Sequence, residues 1–217
     1  LGVKYLLSVS AVGSLREELK PLDMVLPDQF IDLTKRREST FFGQGAVAHV
    51  SMAQPVCAAA AGAVARAVRT VLAQDATAVA GGVQLHEGGA YVCIEGPQFS
   101  SMAESFWYRG MGASVIGMTN MPEAKLAREA QIAYTTLAMV TDFDCWHPLE
   151  AHVTTNMALA NLFKNADRAL KVVAEAIRIL GAEQPVSMAH SALRDALVTQ
   201  PDDMAPSVRA RLAALLA

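Results

Sequence analysis

Apolar residues fall along this chain in two patterns: short continuous runs, and longer stretches at three–four spacing. Residues 3–10 form a β-rich run that ends in the small residues Ala11-Val12-Gly13-Ser14, which reads as a buried strand followed by a loop. A second strand is expected over 24–31, weakened or pushed to a sheet edge by Pro27. Residues 39–55 show no period and read as a long loop. The Ala-rich stretch 57–74 places Val64, Val68, Val71 and Leu72 at helical spacing and predicts a buried helix. Residues 77–95 alternate around Gly81-Gly82 and Gly88-Gly89, which predicts a β-hairpin turning at His86-Glu87-Gly88-Gly89.

Further on, Ser101-Met102-Ala103-Glu104 spells a capping box and should open a helix to about Met111. Residues 113–118 read as a strand, Pro122 suits the first position of a helix through 131, and 132–140 is another buried strand. From Thr155, the positions Leu159, Leu162, Phe163, Ala166, Leu170, Val173, Ile177 and Leu180 predict a long helix with Gly181 as its C-cap. Shorter helices are expected over 187–199 and 206–216. Strands alternating with helices predict an α/β fold: a single domain over 1–217 with a mixed central sheet flanked by helices, and 182–217 as a helical C-terminal segment.

Composition narrows the class. The 217 residues are 53% hydrophobic and 18% charged, with a formal net charge of −3, so a large core is expected and disorder is excluded. Lys35-Arg36-Arg37 is the longest basic run, which argues against a nucleic-acid partner. The longest uncharged stretch, 39–65, contains Gly43, Gln44, Gly45, His49, Gln54 and Pro55, and is too polar for a membrane span. Cys57, Cys93 and Cys145 are odd in number and far apart, and the run after Lys4 lacks a signal-peptide pattern; a cytoplasmic location is expected.

In α/β sheets the ligand crevice lies beyond the carboxyl ends of strands. After the first strand, Ser10-Ala11-Val12-Gly13-Ser14 could form an anion-binding nest or simply a tight turn. Glu95-Gly96-Pro97-Gln98-Phe99-Ser100-Ser101 would present Phe99 and two hydroxyls at the crevice, with Phe99 readable as a stacking ring or as core. Thr119-Asn120-Met121-Pro122 offers polar donors at a helix start, where anions are favoured. The strongest signal is Thr141-Asp142-Phe143-Asp144-Cys145-Trp146, with two carboxylates at a strand end. They could serve as acid/base groups, ligand acceptors, metal ligands or helix N-caps. Among the histidines only His147 and His152 stand close in sequence, so no metal site is expected. The chain carries no GxGxxG, P-loop, GxSxG or CxxC motif.

Together these blocks, with Asp28-Gln29-Phe30-Ile31-Asp32 and Ala48-His49-Val50-Ser51-Met52-Ala53-Gln54-Pro55, resemble the trimeric purine nucleoside phosphorylase family. Within it the likeness is greatest to the branch acting on 5′-methylthioadenosine, and it runs from Leu1 to about Leu180. The resemblance implies phosphorolysis of a purine nucleoside to free base and a sugar-1-phosphate. Phosphate is the co-substrate, no cofactor is used, and the assembly is a homotrimer. The oxocarbenium-like transition state leaves negative charge on the purine, and a proton supplied at N7 is typically worth ~10²–10⁴-fold.

Carried over by position, the resemblance implies that Asp142 assists the leaving purine, with Asp144 and Thr141 in support. It also implies that Phe99 stacks on the base, Met118 lies under the ribose, and Ser10, Ala11 and Thr119 cradle phosphate. His49 would reach a neighbouring subunit's 5′-pocket, and Val153 would line it. Ser100 stands where 6-oxopurine enzymes carry Glu, and Asp142 where they carry Asn; a donor beside N1 and an acceptor beside the 6-substituent suit a 6-aminopurine. Asn120, Gln98 and Met102 depart from the methylthioadenosine branch and leave methylthioinosine or a 6-oxopurine nucleoside as alternatives. The family opens with a glycine-containing phosphate loop and an Arg-His pair, and neither precedes Leu1. An N-terminally incomplete domain is therefore expected, and a non-catalytic nucleoside-binding fragment is a further alternative.

Overall fold

The computed structural model describes residues 2–148 and 155–216. Its strands are β1 (Tyr5–Ser14), β2 (Met24–Leu26), β3 (Gln29–Asp32), β4 (Leu85–Glu87), β5 (Ala90–Cys93), β6 (Ala113–Gly117) and β7 (Ala133–Asp142). They form one mixed sheet in the order β3-β5-β6-β1-β7-β2-β4. The helices are α1 (Ala58–Gln74), α2 (Ala76–Gly81), α3 (Met102–Gly110), α4 (Asn120–Glu129), α5 (Thr155–Glu183) and α6 (Pro206–Leu216).

The buried run predicted over 132–140 becomes β7, buried at every position except Asp142. A strand covered on both faces reads as continuous hydrophobic sequence rather than as alternation. Ala133, Leu137 and Met139 pack with Val64 and Val68 of α1 and Val172 and Ala176 of α5. Tyr134, Ala138 and Val140 pack on the other face with Met121, Ala124 and Ala127 of α4. Each fully buried valine in these layers contributes about 1.5–3 kcal/mol. Continuing the period of two puts Asp142 on the α4 side, at the carboxyl end of the strand.

Local signals held where chemistry fixed them. Ser101 and Glu104 form both halves of the capping box at the start of α3. Met121 is extended (φ −120°, ψ 137°), so the regular part of α4 begins at Pro122. Residues 39–55 contain no helix or named strand. Gly181 lies inside α5 rather than ending it.

The long-range expectations needed correction. β1 continues through the predicted loop 11–14: it pairs parallel with β7 as far as Val12↔Val140, shifts register at Gly13, and pairs antiparallel with β6 at Gly13↔Ile116 and Ser14↔Val115. Small residues let the strand bend there between two neighbours. The single strand over 24–31 is two strands, because Pro27 breaks it. β2 then joins β7 and β4, while β3 joins β5 at the opposite edge. The hairpin over 77–95 does not form. Asp75 caps α2 by accepting the N–H groups of Thr77 and Ala78, and β4 and β5 pair with other strands, in parallel. Gly88 and Gly89, at φ +88° and +99°, carry the chain across the sheet instead. The helix expected over 187–199 is a 3₁₀ turn at Met188–Ser191, after which Leu197 bridges to Ala48. No described helix is long and apolar enough to cross a membrane.

Candidate active site

The antiparallel register of β1 and β6, extended past Gly13↔Ile116, would set Thr119 opposite Ser10, but the recorded pairing stops at Gly13. A cavity of about 250 Å³ opens where this pairing ends, lined by residues of β1, the ends of β6 and β7, and the segment after β5. Ser10, Ala11, Phe99, Ser100, Met118, Thr119, Thr141, Asp142 and Asp144 all line it. Nine side chains singled out in the sequence thus meet in one place, from strand ends far apart in the chain. His49 does not line this cavity: it is exposed on the loop before α1, where its N–H donates to the Ala196 carbonyl (2.8 Å). Val153 lies outside the described residues.

Three hydroxyls meet at one end. Ser10 Oγ lies 2.8 Å from Thr119 Oγ1 and 3.1 Å from Tyr91 Oη, and Tyr91 Oη lies 3.2 Å from Thr119 Oγ1. The Thr119 hydroxyl donates to Asn120 Oδ1 (2.9 Å), while Asn120 Nδ2 is buried without a partner. Gly117 makes this cluster possible, because a Cβ there would fall 1.9 Å from the Tyr91 hydroxyl. Gly96 acts similarly on the opposite wall: at φ +67° it turns the Phe99–Ser100 segment, and a Cβ would meet Met118 Sδ at 2.5 Å.

At the other end, the Thr141 hydroxyl donates to Asp142 Oδ2 (2.6 Å) and lies 3.2 Å from the Val12 carbonyl. The Asp144 N–H donates to Asp142 Oδ1 (2.8 Å). No helix starts within residues 143–148, so Asp142 closes a side-chain turn rather than a helix N-cap. Asp144 sits at φ +52°, a left-handed conformation that aspartate tolerates better than most residues. Trp146 holds this turn against β1 by donating from Nε1 to the Ser14 carbonyl (2.8 Å). Gly13 leaves room for it: a Cβ there would come within 3.1 Å of Asp142 Oδ1.

Burial pushes the Asp142 carboxyl above the ordinary aspartate range, against the opposing pull of the Thr141 hydroxyl and the Asp144 N–H. Asp144 is raised too, chiefly by burial and further by the Asp142 charge. The Ser105 and Ser100 hydroxyls approach Asp144 and favour its ionised form, but neither completes a well-formed hydrogen bond. Ser100 Oγ is therefore a buried polar atom at the cavity with hydrogen-bonding capacity left over. Raised, adjacent carboxyls in a cleft make this turn a candidate for proton-transfer chemistry. Among the described residues no group of three or more His, Cys, Asp or Glu could hold a metal ion.

Sequence reasoning missed the parts played by Tyr91 and Gly117. The period of two in β5 and β6 carries a signal for both: Tyr91 and Val115 point into the α4-side layer, and Gly117, two residues beyond Val115, leaves space for the Tyr91 hydroxyl.

The pattern of the phosphorylase superfamily matches residues 1–178. A relative from Thermosynechococcus vestitus, named S-methyl-5′-thioadenosine phosphorylase, is 54% identical over all of this chain and 73% of its own length. A relative of the same name from Gloeobacter violaceus is 52% identical, over all of this chain and 71% of its own. Among solved structures, a methylthioadenosine phosphorylase from an antarctic soil metagenomic library superposes with a TM-score of 0.92 at 59% identity, covering all of this chain and 73% of that one. The methylthioadenosine phosphorylase of Schistosoma mansoni in complex with adenine gives 0.78 at 32% identity, over 99% of this chain and 72% of that one.

Proposed function

The chain belongs to the phosphorylase superfamily, and we propose on that footing that it is a phosphorylase acting on S-methyl-5′-thioadenosine. The reaction breaks the C1′–N9 bond while a C1′–O bond to phosphate forms, giving adenine and 5-methylthioribose-1-phosphate. The observation that carries this reading is Asp142, a half-buried carboxyl with a raised pKa at the end of β7, inside the cavity that Phe99 and Ser100 also line.

Each residue has a role that follows from its chemistry. Asp142 carries or shares a proton with N7 as electrons flow onto the base, and its raised pKa keeps that proton available nearer neutral pH. Thr141 fixes the carboxyl orientation from one oxygen and the Asp144 N–H from the other. Phe99, 53% exposed, offers an open ring face for the base. Ser100 Oγ supplies the unspent hydrogen bond toward adenine, and Met118 forms the apolar floor under the sugar. Ser10, Thr119 and the Ala11 backbone face phosphate; the hydroxyls rotate from one another to donate to the anion. Phosphate is the co-substrate and no further cofactor takes part. The active assembly is a cytoplasmic homotrimer in which the exposed His49, together with Val153, serves a 5′-pocket at the subunit boundary.

Base release from methylthioadenosine, methylthioinosine and inosine, followed by chromatography at equal phosphate, tests this specificity. Methylthioadenosine should be the best substrate. Preference for inosine by more than about tenfold would overturn the 6-aminopurine reading.

A further inference from the structure

Arg37 does not line the cavity, yet it bonds to both of its walls. Its Nη1 donates to the carbonyls of Met118 (2.7 Å) and Met121 (2.6 Å). Its Nη2 donates to the Glu95 carbonyl (2.9 Å) and lies 3.4 Å from that of Ile94. Among the described residues, its one ion-pair partner is the Glu95 carboxylate, 3.6 Å from Nε. The carbonyls of Ile94, Glu95 and Met118 come from just past the ends of two neighbouring parallel strands, β5 and β6, where the sheet ladder stops and backbone acceptors need new partners, and that of Met121 from the extended residue at the start of α4. Beyond one end the chain runs to Phe99 and Ser100; at the other stand Met118 and Thr119. One planar cation, with donors on both sides of its fork, therefore ties the base-facing segment to the segment facing sugar and phosphate. Lysine, a compact point charge without that planar fork, spans the two sides less well.

Resting on the phosphorolysis proposed above, we infer that Arg37 is a positioning residue that sets the spacing between the two halves of the site. Each half-site is built without it: Phe99 and Ser100 on one side, Ser10 and Thr119 on the other. Removing Arg37 should therefore spare the binding of each ligand alone and slow the step that needs both in register. Misplacement by an ångström costs a reaction about 10²-fold. The Arg37 side chain is itself partly exposed, so water can enter where it is removed and replace the lost donors, and the fold should persist.

The test compares the wild type with Arg37→Gln and Arg37→Lys. It measures kcat with methylthioadenosine and phosphate, calorimetric binding of adenine and of phosphate separately, and thermal unfolding. The expected result is a kcat loss of about 10–100-fold in Arg37→Gln, a smaller loss in Arg37→Lys, and separate ligand affinities within about threefold of wild type. Methylguanidine added to Arg37→Ala should restore part of the rate without moving the melting temperature. Wild-type kcat in Arg37→Gln or Arg37→Lys overturns the inference, and so does a loss of kcat matched by an equal loss of adenine binding. Should Arg37→Gln fail to fold, Arg37→Lys carries the same comparison. A wild type that releases no base with phosphate removes the phosphorolysis reading, and the inference with it. An active wild type with unaffected variants removes the inference alone.

Discussion

Replacing Asp142 by asparagine separates the chemistry of this carboxyl from its structural part, because the hydrogen bonds around it can survive the exchange. The amide oxygen can keep the Asp144 N–H, now 2.8 Å from Oδ1. The amide nitrogen can donate to the Thr141 hydroxyl, whose own proton then turns to the Val12 carbonyl 3.2 Å away. What disappears is the proton and the half-buried charge. Losing proton transfer to the leaving group should lower kcat/KM for methylthioadenosine by ~10²–10⁴-fold. The loss with inosine should be smaller, since an amide can donate to a 6-oxo group. Stability should move the other way. Asp142 has a raised pKa, so the folded state holds its proton more tightly than the unfolded chain does. The stability this gives is complete below the ordinary value of 3.8 and is lost as pH rises through the raised value. Asp142→Asn escapes that loss, so its melting temperature relative to wild type should climb with pH above 3.8 and be no lower than wild type at neutral pH. Steady-state kinetics and thermal melts from pH 4 to 8 give both quantities. Activity within about threefold of wild type would refute the proton-transfer role. A neutral-pH melting temperature lowered by more than about 5 °C would show that the activity loss was structural.

Other substitutions report on single contacts. Phe99→Ala removes a ring that is more than half exposed, so stability should hardly change. The loss of about 1–3 kcal/mol of base stacking should appear as a raised KM for the nucleoside, read from initial rates. Gly117→Ala drives a methyl to 1.9 Å from the Tyr91 hydroxyl; denaturant titration should show destabilisation of about 1–3 kcal/mol, together with a raised KM for phosphate. Unchanged stability would mean that Tyr91 has another place to go.

Much of the site was legible because its residues stand at strand ends, where polar side chains interrupt apolar runs. The Asp142 turn and the Thr119 segment announce themselves in that way. The capping box of α3 was readable because both partners lie within four residues. Long-range pairing was not. The Gly88-Gly89 pair turns the chain, but nothing local tells a hairpin from a crossing to a different strand. Nor does Pro27 say that the strands on either side of it go to opposite parts of the sheet. Arg37 stood out only as one member of the longest basic run, and only the folded chain brings four carbonyls to it. Tyr91 lay within the stretch expected to be a hairpin, and its hydroxyl acquires meaning only through the neighbouring Gly117.

The central claim is that phosphate, and not water, takes the sugar at this cavity. The direct measurement is ³¹P NMR of the purified protein with methylthioadenosine, with and without inorganic phosphate, alongside chromatographic detection of adenine. The account predicts adenine only when phosphate is present, with an equal amount of a new sugar-1-phosphate ester. Adenine released without phosphate, accompanied by free methylthioribose, would contradict it.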